Sequence, residues 1–334
     1  MLYKTFILLQ IDEACRYIRD GRLTHLRIAL LLLDNSAEIL MDRCIENILP
    51  MDNFRERIRE RALTIPPGDR TPDLQELVEW QPLTYKEKLA INRCFDEKVT
   101  YLSQNKSKID QSFILPLSHL HKYRNEAYHS AKVRKETIET AAKLYVEINC
   151  ELLLRLSPEW NSYSSGEDYS WIENRFKVQS QDAFMDEDFI SNVTNDFRDQ
   201  VNLTDESVCN LLAEHIESRI NKLYSQIDFI LKNTKCPTKE LALFDSYIMA
   251  EKIREQYGEL KPKRIIPQQN YNFGFLESLL INSKDIYNIK SRVEAFRSFS
   301  KIESDLEQIE IDLTIVVNEI DHIIELQSEI ARGK

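Results

Sequence analysis

Apolar residues recur at intervals of three and four through most of the first half of the chain, which is the period of an α-helix. Gly21, Pro50 and the Ile-Pro-Pro-Gly run at 65–68 interrupt this pattern. They are expected to end helices, because proline lacks a backbone donor and glycine favours helix ends. The pattern predicts helices at 3–20, 24–48, 51–65, 72–80, 84–102, 111–129 and 135–156.

The second half has the same period and predicts helices at about 183–201, 205–232, 238–257 and 284–300. Its last segment is a heptad in which apolar residues alternate by four and three, interrupted by Gln327 before Ile330. This spacing predicts a coiled coil, or a helical hairpin with the 284–300 helix. The seam consists of Ile302, Leu306, Ile309, Leu313, Val316, Ile320 and Ile323.

Serine, asparagine, proline and glycine concentrate near residues 158–170, which indicates a boundary between domains. With only 6 glycines among 334 residues, sheets and tight hairpins are disfavoured. The length is sufficient for two ordinary domains. We therefore expect an all-α protein with a helical bundle at 1–157, a linker at 158–170, a helical domain at 171–258, and a linker with the hairpin or coiled coil at 259–334.

The 6 cysteines are scattered singly, and most lie in apolar helical stretches, which is typical of reduced core residues. The apolar start of the chain lacks the basic region and the small-residue cleavage site of a signal peptide. The apolar run 28–33 is too short to span a bilayer. We expect a soluble, cytoplasmic protein without a membrane segment.

The formal net charge of −11 is unevenly distributed along the chain. Residues 1–160 carry 24 Lys and Arg against 24 Asp and Glu, whereas 161–334 carry 20 against 31. The first half tolerates a polyanion such as RNA better than the second half does. Within it, 122–135 holds five basic residues against one Glu, although such a run is commonly a solvated face. The predicted RNA contacts are Lys122, Lys132, Arg134 and Lys135.

Arg124 and His129 are separated by four residues, and Asn125 directly follows the arginine. A permanent cation beside a group that titrates near neutrality suits phosphodiester cleavage, which needs charge stabilisation and proton transfer. Chance would produce such a triplet roughly 0.02–0.03 times in a chain of this composition. A histidine at a helix end can instead stabilise the helix dipole.

This triplet resembles the Arg-(Asn/Asp/His)-x-x-x-His motif of the HEPN superfamily, small helical domains that include metal-independent ribonucleases. The resemblance covers roughly 1–157. It implies that His129 is a general acid or base, that Arg124 stabilises the developing charge, and that Asn125 orients His129 or contacts phosphate. It implies cleavage by the ribose 2′-OH to a 2′,3′-cyclic phosphate, with no metal or other cofactor, and a role as a toxin or antiphage effector.

A homodimer through the HEPN-like domain is also expected. Arg124 and His129 lie about 140° apart on an ideal helix, whereas Asn125 and His129 lie about 40° apart. Two motifs brought together across a two-fold axis would surround one RNA backbone. Known HEPN ribonucleases have a similar arrangement.

Asp34 and Glu38 stand one turn apart on an otherwise apolar helix, either as carboxylates that support the motif or as structural residues. Tyr128 is expected in the core or stacked on a base. His119 and His121 point in different directions on a helix and are not expected to bind a metal. The sequence has no glycine-rich phosphate loop, no H-E-x-x-H and no G-x-S-x-G, which disfavours the corresponding enzymes.

Three functions are compatible with these patterns. The first is an endoribonuclease whose acidic second half binds an antitoxin or a sensor protein. The alternative is a non-catalytic RNA- or nucleotide-binding protein whose helical C-terminal segment is the interaction surface. The third is a purely structural helical scaffold for assembly. The intact triplet favours the first, because a scaffold has no need to keep these residues together.

Overall fold

A computed structural model of the chain describes residues 3–105, 108–129, 138–156, 168–179, 187–258 and 266–332. Within these ranges the protein is helical and contains no strand, so the predicted all-α fold class is confirmed. The helices are α1 (Tyr3–Asp20), α2 (Leu23–Leu63), α3 (Pro72–Glu79), α4 (Tyr85–Arg93), α5 (Phe95–Thr100), α6 (Ile114–His129), α7 (Ile138–Leu156), α8 (Ser170–Phe176), α9 (Glu187–Gln200), α10 (Asp205–Asn233), α11 (Lys239–Gln256), α12 (Phe273–Ile286) and α13 (Arg292–Ala331).

The chain forms two compact units, Met1–Leu203 and Thr204–Lys334. In the first unit the long helix α2 is central, and α1, α6 and α7 pack along it. Leu30, Leu33 and Leu40 on α2 are buried in this core. Their spacing of three and seven residues places them on one face of α2, which is the face that is buried here.

Helix α2 continues through Pro50, so the helix end predicted there is wrong. An internal proline is costly because it removes a backbone hydrogen bond, and here contacts beyond it hold the helix. The Tyr101 hydroxyl donates to Asp52 at 2.8 Å, and Arg59 donates to the Val78 carbonyl at 3.1 Å. Tertiary contacts therefore outweigh the local preference, and α2 ends just before the double proline.

The single helix predicted at 84–102 is interrupted at Cys94, which has an extended backbone between α4 and α5. Thr84 and Glu87 form a capping box that begins α4. The interruption brings Phe95 into the core of the first unit. Phe95 can then contact α6, the helix that carries the motif.

The division into units differs from the boundary expected after residue 157. Helix α9 packs on α7 and α1, and Arg198 donates from Nε and Nη2 to the two oxygens of buried Glu147 at 2.8 and 2.9 Å. The charge counted for each structural unit therefore differs from the charge counted for each half of the sequence. Residues 1–203 carry 27 Lys and Arg against 33 Asp and Glu, and 204–334 carry 17 against 22. The acidic excess is thus shared by both units.

In the second unit α10 and α13 run side by side in the same direction. Arg292 at the start of α13 pairs with Asp205 at the start of α10, and Gln226 donates to Thr314 further along both helices. Helices α11 and α12 pack against this pair. The long final helix is therefore part of a packed bundle.

The predicted 284–300 helix is wrong, because α12 ends at Ile286 and residues 292–300 already belong to α13. A hairpin with that particular helix is therefore not formed, and α12 packs against α13 instead. The heptad seam is buried within its own unit as far as Ile320, whereas Ile323 is exposed. Most of the seam therefore packs intramolecularly.

All six cysteines have free thiols, and four of them are buried. Burial raises the pKa of Cys150 well above its ordinary value, which keeps this thiol protonated. Among the described helices, none is both long and apolar enough to cross a membrane.

Candidate active site

The motif lies in the second half of α6, which packs against α2, α5 and α7. The Asp110 carboxylate accepts a hydrogen bond from the Ser112 backbone N–H at 2.9 Å and so caps the short turn that leads into α6. Packing on three helices fixes the face of α6 that carries Arg124. Side chains on that face reach α2 directly.

Arg124 pairs with Asp34 on α2. Its Nε donates to Asp34 Oδ2 at 2.6 Å, and Nη2 contacts the same oxygen. The Asp34 side chain is 0% exposed and that of Arg124 is 21% exposed. The guanidinium therefore sits at the edge of the core with one side held by a buried carboxylate, a geometry that defines its orientation.

The second oxygen of Asp34 accepts two further hydrogen bonds. His121 Nδ1 lies 2.8 Å from Oδ1, and the Tyr145 hydroxyl donates to it at 2.7 Å. Burial, and then the negative charge of Asp34, raise the pKa of Tyr145 well above its ordinary value. Tyr145 therefore stays protonated and donates, so that α2, α6 and α7 meet at this one carboxylate.

Asn125 also orients the guanidinium, because its Oδ1 accepts a hydrogen bond from Arg124 Nη1 at 2.8 Å. A guanidinium has five N–H donors. Three of them are used by Asp34 and Asn125, and the remaining two have no partner among the described residues. These two donors are available for a second oxyanion, which is the chemistry that a phosphate-binding arginine requires.

Glu38 does not join this cluster. It accepts a hydrogen bond from Lys98 at 2.9 Å, and Lys98 also pairs with Asp42 at 2.7 Å. Burial alone would lower the pKa of Lys98, but the hydrogen bonds to Asp42 and Glu38 outweigh it and raise the pKa. Of the two carboxylates singled out on this helix, Asp34 contacts the motif and Glu38 neutralises a buried lysine.

The backbone of Tyr128 and His129 belongs to the last turn of α6, and their side chains lie outside the described part of the protein. Lys132, Arg134 and Lys135 also fall outside the described residues. Lys122 is exposed on α6. Its position two residues before the motif is compatible with the RNA contact expected of it.

A pocket of about 260 Å³ lies beside this end of α6. Arg27 on α2 donates from Nη2 to the carbonyl of Ala127, which fastens the first turns of α2 to the motif helix. The described lining residues of the pocket are Thr24, Arg27, Ile28, Leu31 and Ala127. The pocket thus combines aliphatic walls with the guanidinium of Arg27 and the hydroxyl of Thr24.

Sequence reasoning did not assign a role in this cluster to His121, Tyr145 or Phe95. The Phe95 ring stacks on the His121 imidazole with 4.0 Å between centroids. One signal was present for His121, which precedes Arg124 by three residues and so shares its helix face. Tyr145 fits an ordinary apolar position of α7, and no local pattern distinguishes it.

No family model matches the chain, and comparisons with curated proteins and with solved structures found no match either. The resemblance to HEPN domains therefore rests on the motif residues and on their helical setting. Within the described residues, no group of three or more His, Cys, Asp and Glu side chains is placed to hold a metal ion.

Proposed function

We propose that this protein is a metal-independent endoribonuclease of the HEPN type that acts in the cytoplasm as a toxin or antiphage effector. The observation that carries the proposal is that buried Asp34 on α2 fixes the Arg124 side chain. Arg124 lies on α6, the helix that also bears His129. A donor that is oriented before the substrate arrives need not reorganise in the transition state. Such preorganisation is the main source of electrostatic catalysis.

In the proposed reaction the ribose 2′-OH attacks the adjacent phosphorus and the bond to O5′ breaks. The products are a 2′,3′-cyclic phosphate and a 5′-OH. His129 transfers a proton, and Arg124 directs its two remaining N–H donors to the non-bridging oxygens. Asn125 limits rotation of the guanidinium through its hydrogen bond to Nη1.

RNA binding is proposed to involve the basic run that surrounds the motif. Phosphate contacts by lysine and arginine give affinity without sequence preference and make binding sensitive to salt. The proposed contacts are Lys122, Lys132, Arg134 and Lys135.

We propose that the active unit is a homodimer through the first unit, because Arg124 and His129 diverge by about 140° on one helix. Mixing Arg124→Lys with His129→Ala protein tests this. Regained cleavage in the mixture would place the two residues across an interface. Absence of regain in confirmed mixed dimers would contradict shared sites.

A cellular ribonuclease requires restraint, and we propose that the second unit binds an antitoxin or sensor protein. The end of α13 offers exposed apolar side chains for such a partner, namely Ile323, Ile324, Leu326 and Ile330. Residues 1–203 produced in a host should then be more toxic than the full chain, and His129→Ala should relieve the toxicity. Equal harmlessness of both folded proteins would contradict this restraint.

The alternative function, non-catalytic RNA or nucleotide binding, is favoured by one observation. The charge of Arg124 is already paired with Asp34, as in a purely structural ion pair. In that case RNA or a nucleotide would bind near α6 without cleavage, and the helical second unit would be the interaction surface.

The decisive experiment incubates the full chain with total RNA, with and without EDTA. Wild type and the exposed control His322→Ala should both cleave and leave cyclic phosphate ends. His129→Ala should lower the rate by about 10²–10⁴-fold. Arg124→Lys, which keeps the charge but loses the fork of donors, should also lower it. Cleavage that survives His129→Ala, or that EDTA abolishes, would refute the mechanism, and binding without cleavage would favour the alternative.

A further inference from the structure

His121 is attached to the same carboxylate as Arg124. The Asp34 oxygens accept from Arg124 and from the Tyr145 hydroxyl, so the carboxylate acts as an acceptor towards His121 as well. His121 Nδ1 must then carry the hydrogen in this contact. In the neutral imidazole this leaves the lone pair on Nε2, which is the form that accepts a proton.

The imidazole of His121 is partly exposed. The side chain is 20% exposed, and the described residues offer Nε2 no hydrogen-bond partner. The Phe95 ring stacks on the imidazole with the two planes 9° apart, which fixes the ring plane. Among the described residues, the charged and titratable groups attached to the same Asp34 carboxylate as His121 are Arg124 from α6 and Tyr145 from α7.

Two histidines flank Arg124 along α6. At about 1.5 Å of rise per residue, His121 lies about 4.5 Å before Arg124 and His129 about 7.5 Å after it. Asn125 and His129 follow His121 at four-residue intervals, so these three residues form one stripe along the helix. A phosphate held by Arg124 would have His121 of the same helix beside it, and in the proposed homodimer the second imidazole would be His129 of the partner subunit.

We propose that His121 is the general base of the cleavage reaction and that His129 is the general acid. The proposal rests on the proposed function and names a second proton-transfer group for it. The 2′-hydroxyl proton passes to Nε2 of His121 while the bond between O2′ and phosphorus forms. The bond from phosphorus to O5′ breaks, and the protonated His129 gives its proton to O5′. Proton exchange with solvent restores both histidines.

His121→Asn is the sharpest variant, because the asparagine Nδ2 occupies the place of the histidine Nδ1. It keeps a donor for Asp34 and removes the proton acceptor. On total RNA we expect a loss of about 10²–10⁴-fold in kcat at neutral pH with an unchanged urea midpoint. The acidic limb of the pH–rate profile should disappear, which loss of a structural contact alone would not cause. The exposed His322→Asn should retain both the rate and the profile.

The assignment of base and acid can be separated with a synthetic RNA that contains the cleavage site mapped with wild type. A sulfur atom replacing O5′ leaves without protonation, so it removes the need for a general acid. His129→Ala should regain most of its activity on this RNA, and His121→Asn should not. The reverse pattern would overturn the assignment.

Failure of this proposal differs from failure of the proposed function. If wild type cleaves and His129→Ala does not, while His121→Asn stays within about threefold of wild type, the function stands and His121 is not the base. If wild type does not cleave RNA, the proposed function fails, and the role of His121 fails with it.

Discussion

Replacement of Asp34 by alanine should be the most destabilising change at the candidate site. Asp34 is fully buried and accepts hydrogen bonds from His121, Arg124 and Tyr145. Its removal leaves a partly buried guanidinium without its counter-charge and a buried hydroxyl without an acceptor. Breaking a buried ion pair from one side typically costs about 3–5 kcal/mol, because the remaining charge stays desolvated. For a unit of this size, that corresponds to a fall of about 6–20 °C in Tm.

The double variant Asp34→Ala with Arg124→Ala should be less destabilised than the sum of the two single variants. Each single change leaves the other charge unpaired, whereas the double change removes both charges together. The coupling energy of such contacting pairs is about 0.5–3 kcal/mol. Arg124→Ala alone should therefore be destabilising too, because it leaves buried Asp34 without its counter-charge.

Unfolding of the first unit can be followed separately in the full chain. All three tryptophans (Trp80, Trp160 and Trp171) belong to that unit, so urea unfolding monitored by tryptophan fluorescence reports on it alone. Glu46→Ala is the matched control, a carboxylate on the same helix α2 that is 57% exposed, and should cost about 1 kcal/mol or less. If Asp34→Ala costs no more than Glu46→Ala, the Asp34 carboxylate does not organise the cluster.

Three further outcomes are expected. Residues 1–203 should fold alone with cooperative urea unfolding, whereas 1–156 should not, because it lacks the arginine on α9 that neutralises a buried glutamate of α7. Ile309→Ala should cost about 2–5 kcal/mol by thermal unfolding, and Ile323→Ala about 0.5 kcal/mol or less, because only the first is buried. Burial lowers the pKa of Lys4 from 10.5 to about 8, so the folded protein loses this proton at a lower pH than the unfolded chain. The free energy of unfolding of wild type relative to Lys4→Met should therefore rise between pH 8 and 10.5, and a flat difference in urea unfolding would contradict it.

The helices themselves could be predicted from the sequence, because their apolar residues repeat at the helical period. Helix ends were predictable where local chemistry decides them, as at Gly21 and at Thr84 with its capping box. The prediction was wrong at Pro50, where contacts with residues distant in sequence hold the helix together. No local pattern in the sequence marks Cys94 as a break, although its backbone is extended between α4 and α5.

The candidate site was only partly predictable for a similar reason. The spacing of Arg124, Asn125 and His129 identifies the motif, and the polarity of Asp34 within an apolar run draws attention to it. That Asp34 meets Arg124 across 90 residues of chain is a property of how α2 and α6 pack. The sequence alone gives His121 no role, because its place beside Arg124 depends on where the Asp34 carboxylate lies in the fold.

The ion pair with Asp34 has a consequence for how the site would treat RNA. Arg124 and Asp34 together carry no net charge, so Arg124 contributes directed hydrogen bonds more than long-range attraction. Attraction of the RNA backbone would then come mainly from the basic residues at 122–135, including Lys122. Changes in the Asp34 cluster should therefore act on kcat, because they alter donors aimed at the reacting phosphate. Changes in the basic run should act on KM and on its dependence on salt, because counterion release there governs affinity.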